Sequence, residues 1–182
     1  MARVAGLVLA AGEGRRFGGP KAPVVVGGER LVDRAVRVLR EGGCDPVYVV
    51  LGAWTGDVPD AILVANPEWP EGMGSSLRLG LAALADEPVD AVDAVVVTLV
   101  DLPGLTSAAV RRLVDADGGI AAATYEGERG HPVRFGRAHW IGVVGVARGD
   151  AGARDYLRAH ADEVSFIEVG DVASGEDLDE PA

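Results

Sequence analysis

Four short runs, Val4–Ala10 (VAGLVLA), Val47–Leu51 (VYVVL), Ala94–Leu99 (AVVVTL) and Ile120–Tyr125 (IAAATY), are apolar at almost every position rather than at every second one. A strand with one wet face alternates apolar and polar residues, whereas a continuously apolar strand is covered on both faces. Such strands belong to sheets sandwiched between helices, and the stretches between the runs have helical periodicity. Leu31, Ala35, Val38 and Leu39 form one apolar stripe with Arg30, Arg34, Arg37 and Arg40 outside it and Gly42 as a stop. Leu77, Leu81 and Leu84 form a second stripe behind Ser75, and Val110, Leu113 and Val114 a third behind Thr106. Shorter apolar runs at Ile62–Val64 and Val164–Val169, and an extended piece at Pro132–Phe135, complete the strands. The expected architecture is α/β, three layers with a mostly parallel central sheet.

The 182 residues suffice for one domain with a sizeable core. Charge is unevenly spread: of a net −11, the stretch from Asp162 onward carries eight acidic residues and no Lys or Arg. We therefore expect a single domain over 1–170 and a solvated acidic tail over 171–182. An acidic chain lacks the basic face that displaces phosphate counterions, which argues against nucleic acid as a partner. The apolar start, Met1–Ala11, is too short to span a membrane and has no basic flank of the signal-peptide type. Cys44 is the one cysteine, so no disulfide framework is available and a reducing, cytoplasmic setting is expected.

Ligands of open α/β sheets sit beyond the carboxyl ends of the strands. Three segments there carry unusual chemistry: residues 9–22 (LAAGEGRRFGGPKA), 66–76, and Asp101–Pro103. The first has four glycines among Arg15, Arg16 and Lys21, and Lys21 is the sole lysine among seventeen basic residues. It is not a Walker A loop, because Pro20 precedes Lys21 and Ala22 stands where a hydroxyl would bind magnesium. Nor is it a dinucleotide fingerprint: Gly18 comes one residue late after Gly12 and Gly14, and Leu51-Gly52-Ala53-Trp54 offers no acid for a ribose. What remains is a longer loop whose amides form an anion nest flanked by cations, suited to a triphosphate.

LAAGEGRRFGGPKA resembles the L-A-A-G-x-G-x-R-[FM]-G-x-x-K signature of nucleotidyltransferases, in particular the molybdenum cofactor cytidylyltransferase family. The segment from Asn66 to Gly80 is similar to that family's N-x-x-W-x-x-G-M-x-x-S-L-x-x-G. Leu99-Val-Asp101-Leu-Pro103 resembles its strand-end acidic motif, Arg129-Gly-His131-Pro132 its R-G-x-P turn, and Gly149-Asp150-Ala-Gly-Ala-Arg154 its G-D-x-G-A-R segment. The resemblance implies a Rossmann-like nucleotidyltransferase fold and transfer of CMP from CTP to a phosphorylated pterin, with pyrophosphate released and Mg²⁺ as cofactor. It further implies a recipient molybdoenzyme as partner. GTP or another acceptor remains open, as does a relative that only binds or delivers a cofactor or does redox work.

Nucleotidyl transfer needs no covalent nucleophile; the protein positions two polyanions and neutralises the charge that grows on the leaving pyrophosphate. By the resemblance, Ala10, Ala11, Gly12, Glu13, Gly14 and Arg15 hold the nucleotide, Arg16 and Lys21 its phosphates, and Asp101 the magnesium ion. Ser76 touches the base or sugar, although a serine opening a helix also serves as a cap, and Asn66 frames the pocket. Trp69 frames the pocket or packs, His131 lies in an active-site turn, and Asp150 and Arg154 orient the acceptor or cap a helix. One departure concerns the second metal ligand. Where the family has D-[IV]-D-T-P-E-D-L, this chain reads Asp171-Val-Ala173-Ser-Gly-Glu-Asp-Leu, so Ala173 replaces an acid and Asp171 is the substitute expected.

Overall fold

The computed structural model describes residues 2–181. Its core is a seven-stranded sheet of β1 (Val4–Ala10), β4 (Val47–Leu51), β5 (Ile62–Ala65), β6 (Ala94–Leu99), β7 (Ile120–Tyr125), β8 (Glu128–Gly136) and β9 (Val164–Glu168), in the order β5-β4-β1-β6-β8-β7-β9. All pairings are parallel except those of β8, which runs antiparallel to both β6 and β7. A small hairpin, β2 (Val25–Val26) with β3 (Glu29–Arg30), stands apart. Among the described residues five α-helices complete the fold: α1 (Leu31–Glu41), α2 (Met73–Ala85), α3 (Ser107–Val114), α4 (Trp140–Val146) and α5 (Arg154–Ala159).

Side chains that alternate along each central strand feed two separate cores. Val8 and Val96 join Val32, Val36 and Leu39 of α1 and Val110 and Leu113 of α3 on one face. On the other face, Leu7, Val95 and Val97 meet Leu77, Leu81 and Leu84 of α2, Trp140 and Val143 of α4 and Leu157 of α5. All seven residues of β1 are buried, so its unbroken apolar run follows from having a helix layer on either side. The chain thus has the three-layer α/β fold that its patterning implied.

Several boundaries differ from the sequence reading. The extended piece at Pro132–Phe135 is the inner part of β8, the long reversed strand. The second helix begins at Met73 rather than behind Ser75, capped by Gly72, whose φ of 110° is a region that side chains disfavour. Thr106 caps α3 as expected, accepting a bond from the Ala109 amide.

Beyond β9 the chain lies across the carboxyl ends of the neighbouring strands. The Val172 carbonyl accepts from Thr106 Oγ1 at 3.0 Å, and the Ser174 amide donates to the Gly104 carbonyl at 3.1 Å. Val172 and Ala173 pack against the core on the α1–α3 face. No helix among the described residues is long and apolar enough to cross a membrane.

Candidate active site

β1 and β6 are adjacent and parallel, so the loops that leave their carboxyl ends lie side by side. Between these loops and the start of α2 opens a cleft of about 420 Å³, lined by residues 9–15, Lys21, Trp69, Met73, Ser76, Asp101 and Asp150 among others. The loop after β1 closes on itself: the Gly18 and Gly19 amides both donate to the Gly14 carbonyl, at 2.8 and 3.1 Å. Gly14 has φ +63°, and a Cβ there would collide with the Gly19 carbonyl, so the turn requires glycine. Among the described residues no protein acceptor takes the amides of Gly12, Glu13, Gly14 and Arg15. Donors in such a run are the raw material of an anion nest. The first turn of α2 adds the positive end of a helix dipole on the opposite wall.

The charged groups have definite partners. Lys21 Nζ lies 3.0 Å from Asp101 Oδ2, both side chains being largely buried, and 3.6 Å from Asp179 Oδ1. Asp101 Oδ1 is buried with no hydrogen-bond partner. An orphaned carboxylate oxygen costs free energy unless something binds it, and this one belongs to a cleft-lining residue. Arg15 pairs with Glu13 of its own loop and is otherwise exposed.

Asn66 works from behind the wall. It is 3% exposed and donates from Nδ2 to Ser75 Oγ (2.9 Å) and Ser76 Oγ (3.0 Å), while its Oδ1 accepts from the Glu68 amide (2.9 Å). The one Ser75 hydroxyl proton is shared between the Gly72 and Glu68 carbonyls, at 2.8 and 3.1 Å. Because Asn66 occupies the Ser76 oxygen as an acceptor, the Ser76 proton is left for the cleft, which Ser76 lines.

A second cavity of about 210 Å³ adjoins the first and shares Leu9, Met73 and Asp150 with it. Its walls are apolar, from Leu77, Val97, Val133, Phe135 and Leu157, and Asp150, Arg129, His131 and Arg154 supply its polar groups. Burial, reinforced by the positive charge of Arg129, pushes the His131 imidazole down to about 4. His131 is therefore neutral at physiological pH and contributes no charge to anion binding.

Of the residues singled out from the sequence, the structure brings Ala10, Ala11, Gly12, Glu13, Gly14, Arg15, Lys21, Ser76 and Asp101 to one cleft. Arg16 is exposed and does not line it, and Asn66 reaches it only through the serines. Asp171 is turned elsewhere: both of its oxygens are held by Arg112 of α3, at 2.6 and 2.7 Å, which lowers its carboxyl from the usual range. The expected substitution of Asp171 for the acid missing at 173 is thus not realised in the geometry, since Asp171 is committed to a surface ion pair. Asp150, singled out from the sequence with Arg154, is a wall residue shared by both cavities, brought by the short 3₁₀ turn Gly149–Ala151, and Arg154 lines the second.

Fold and cleft define a nucleotidyltransferase-type α/β protein, and residues 6–164 match the MobA-like NTP transferase domain; the chain belongs to that family. It is similar to a protein of Paenarthrobacter nicotinovorans named nicotine blue oxidoreductase, 36% identical over 97% of this chain and 92% of the relative. A probable molybdenum cofactor guanylyltransferase of Opitutus terrae is 55% identical over a shorter stretch, 26% of this chain and 23% of that protein. Among solved structures, the manganese complex of Rv0371c from Mycobacterium tuberculosis superposes with a TM-score of 0.70 at 25% identity, covering 92% of this chain and 88% of that one.

Proposed function

We propose that this protein transfers CMP from CTP to a phosphorylated pterin, releasing pyrophosphate, with Mg²⁺ as cofactor, in the cytoplasm. The observation that carries the reading is the pairing of an amide-rich loop and Lys21 with Asp101, whose buried Oδ1 lacks a partner, in one cleft at the carboxyl ends of β1 and β6.

The amides of residues 12–15 and the Lys21 ammonium receive the triphosphate oxygens and hold the leaving pyrophosphate in line. Asp101 fits a divalent cation because magnesium takes one or two carboxylates and completes its shell with water and phosphate oxygens. When bound there, the ion neutralises charge developing on the phosphates. Ser76, set by Asn66, donates a hydrogen bond to the sugar or base. Ala11 restricts the room near the base and favours the smaller pyrimidine. Arg129 and Arg154 steer the acceptor phosphate in the adjoining cavity, and its apolar walls receive the ring. The acceptor oxygen is already anionic at neutral pH, so no general base is required. A molybdoenzyme would receive the product.

A second reading is favoured by a specific observation. Ala173 packs on the apolar core where a metal-binding acid is expected, and the relative aligned along 97% of the chain is named an oxidoreductase. In that reading the cleft binds a nucleotide without breaking it. Thermal stabilisation by each of the four nucleoside triphosphates, with and without Mg²⁺, tests the first reading. Metal-dependent stabilisation greatest with CTP supports it; stabilisation indifferent to both metal and base overturns it.

A further inference from the structure

The segment that follows β9 is strongly acidic, with Glu176, Asp177, Asp179 and Glu180 and no base, yet it ends against the one lysine of the chain. Its course is set by backbone. After the Ser174–Gly104 bond, the Leu178 amide donates to the Asp101 carbonyl at 2.9 Å, which ties the segment to the loop that carries the cleft's carboxylate. One residue further on, Asp179 Oδ1 lies 3.6 Å from Lys21 Nζ. Lys21 therefore faces two carboxylates of different standing. Asp101 is largely buried and hydrogen-bonded to it, whereas the Asp179 side chain is half exposed and too far for a hydrogen bond.

We propose that residues 176–180 form an autoinhibitory strap, a tethered polyanion that competes with the nucleotide's phosphates for Lys21. The inference rests on the reading of the cleft as a triphosphate site. A triphosphate arriving at the loop amides and Lys21 meets the Asp179 carboxylate already at the ammonium, with three further negative charges on neighbouring residues. It must displace one ion pair whose carboxylate side is half exposed and leaves the Lys21–Asp101 contact intact. A pair that is too long for a hydrogen bond and half exposed on its carboxylate side contributes little, so the strap tunes affinity rather than closing the site: releasing it is expected to tighten binding about twofold to fivefold. Charges of this kind act over about a Debye length, so the effect must fade as salt rises.

The test is equilibrium binding of CTP in the presence of a chelator, which removes any contribution of Asp179 to a metal ion. Asp179→Asn should bind CTP about twofold to fivefold more tightly than wild type at low salt, the ratio falling toward one in high salt. Asp162→Asn, an exposed acid outside the cleft and with no ion pair among the described residues, controls for net charge and should leave affinity unchanged. In a Lys21→Ala background Asp179→Asn should have no effect, because the coupling runs through that ammonium. Equal or weaker binding by Asp179→Asn, an equal gain in Asp162→Asn, or an effect that survives Lys21→Ala overturns the strap. Since Lys21 is the only lysine, its rate of modification by an amine-reactive reagent, read on the peptide that carries Lys21 and so apart from the α-amino group, reports the contact without nucleotide and should rise in Asp179→Asn. An unchanged rate while CTP still binds overturns the strap alone. Failure of CTP to bind the wild-type protein overturns the functional reading beneath it.

Discussion

Replacing Asn66 by alanine probes the part of the site that is least visible from outside it. The side chain is 3% exposed and makes three hydrogen bonds, two donated to the Ser75 and Ser76 hydroxyls and one accepted from the Glu68 amide. Each such bond contributes about 1 kcal/mol net, and removing one partner strands the other. Ser75 keeps its bonds to the Gly72 and Glu68 carbonyls, so the groups left bare are the Glu68 amide and the Ser76 oxygen. Asn66→Ala should therefore lower unfolding free energy by about 2 to 3 kcal/mol, read as a shifted midpoint at constant slope in urea. Ser76 also loses the group that aims its proton into the cleft, so nucleotide affinity should fall with stability. Asn66→Asp does not rescue, because the carboxylate cannot donate to either serine and brings a buried charge. A variant within about 0.5 kcal/mol of wild type and with unchanged nucleotide affinity would refute the assignment of Asn66 as the residue that positions Ser76, since that loss is at the bottom of the range for one bond.

Other perturbations separate residues that the sequence placed together. Lys21→Ala should cost about 2 to 4 kcal/mol of transition-state stabilisation, as loss of one preorganised donor does, whereas Arg16→Ala, outside the cleft, should change kcat/KM less than twofold to threefold, roughly the scale of a surface charge. Asp171→Asn breaks only the pair with Arg112 and should leave metal-dependent binding of Mn²⁺, followed by its paramagnetic signal, at the wild-type level. His131 gives a pH prediction. Its folded value of about 4 lies below the usual 6.5, so the unfolded chain binds the extra proton between those values and stability falls as pH drops through that window. Wild type should lose about 3 kcal/mol more than His131→Gln between pH 6.5 and 4, by 1.36 kcal/mol per unit, and parallel profiles would refute the neutral imidazole.

Legibility followed burial. β1, β4, β6 and β7 begin and end where their apolar runs do, because each is covered on both faces and neighbouring residues cannot substitute without exposing apolar surface. The direction of β8 was not legible, since nothing in Glu128–Gly136 distinguishes a parallel from an antiparallel neighbour. α4 reads WIGVVGV, with β-branched residues and two glycines that disfavour helix, and forms where Trp140 and Val143 pack beneath the sheet. α5 spans six residues, too few to display a period. The β2–β3 hairpin did carry a local signal, Gly27-Gly28 with positive φ at both residues, the preference of a two-residue turn. At the site, the strand-end loops could be grouped because the fold class places them. Asp171 could not be aimed from sequence: its partner, Arg112, is 59 residues away. The same holds for Asp179, which meets Lys21 only because the acidic segment crosses the sheet's carboxyl edge.

The measurement that tests the central claim most directly is pyrophosphate release from CTP mixed with Mg²⁺ and a phosphorylated pterin, compared between wild type and Asp101→Asn. The amide keeps the shape of Asp101 and its neighbour Lys21 but lacks the charge that holds a divalent cation. We predict acceptor-dependent pyrophosphate release by the wild-type protein, faster with CTP than with GTP, and loss of most of it in Asp101→Asn with the fold intact by circular dichroism. Release at equal rates by the two proteins, or none from wild type with either nucleotide, would contradict the assignment of this cleft to nucleotidyl transfer.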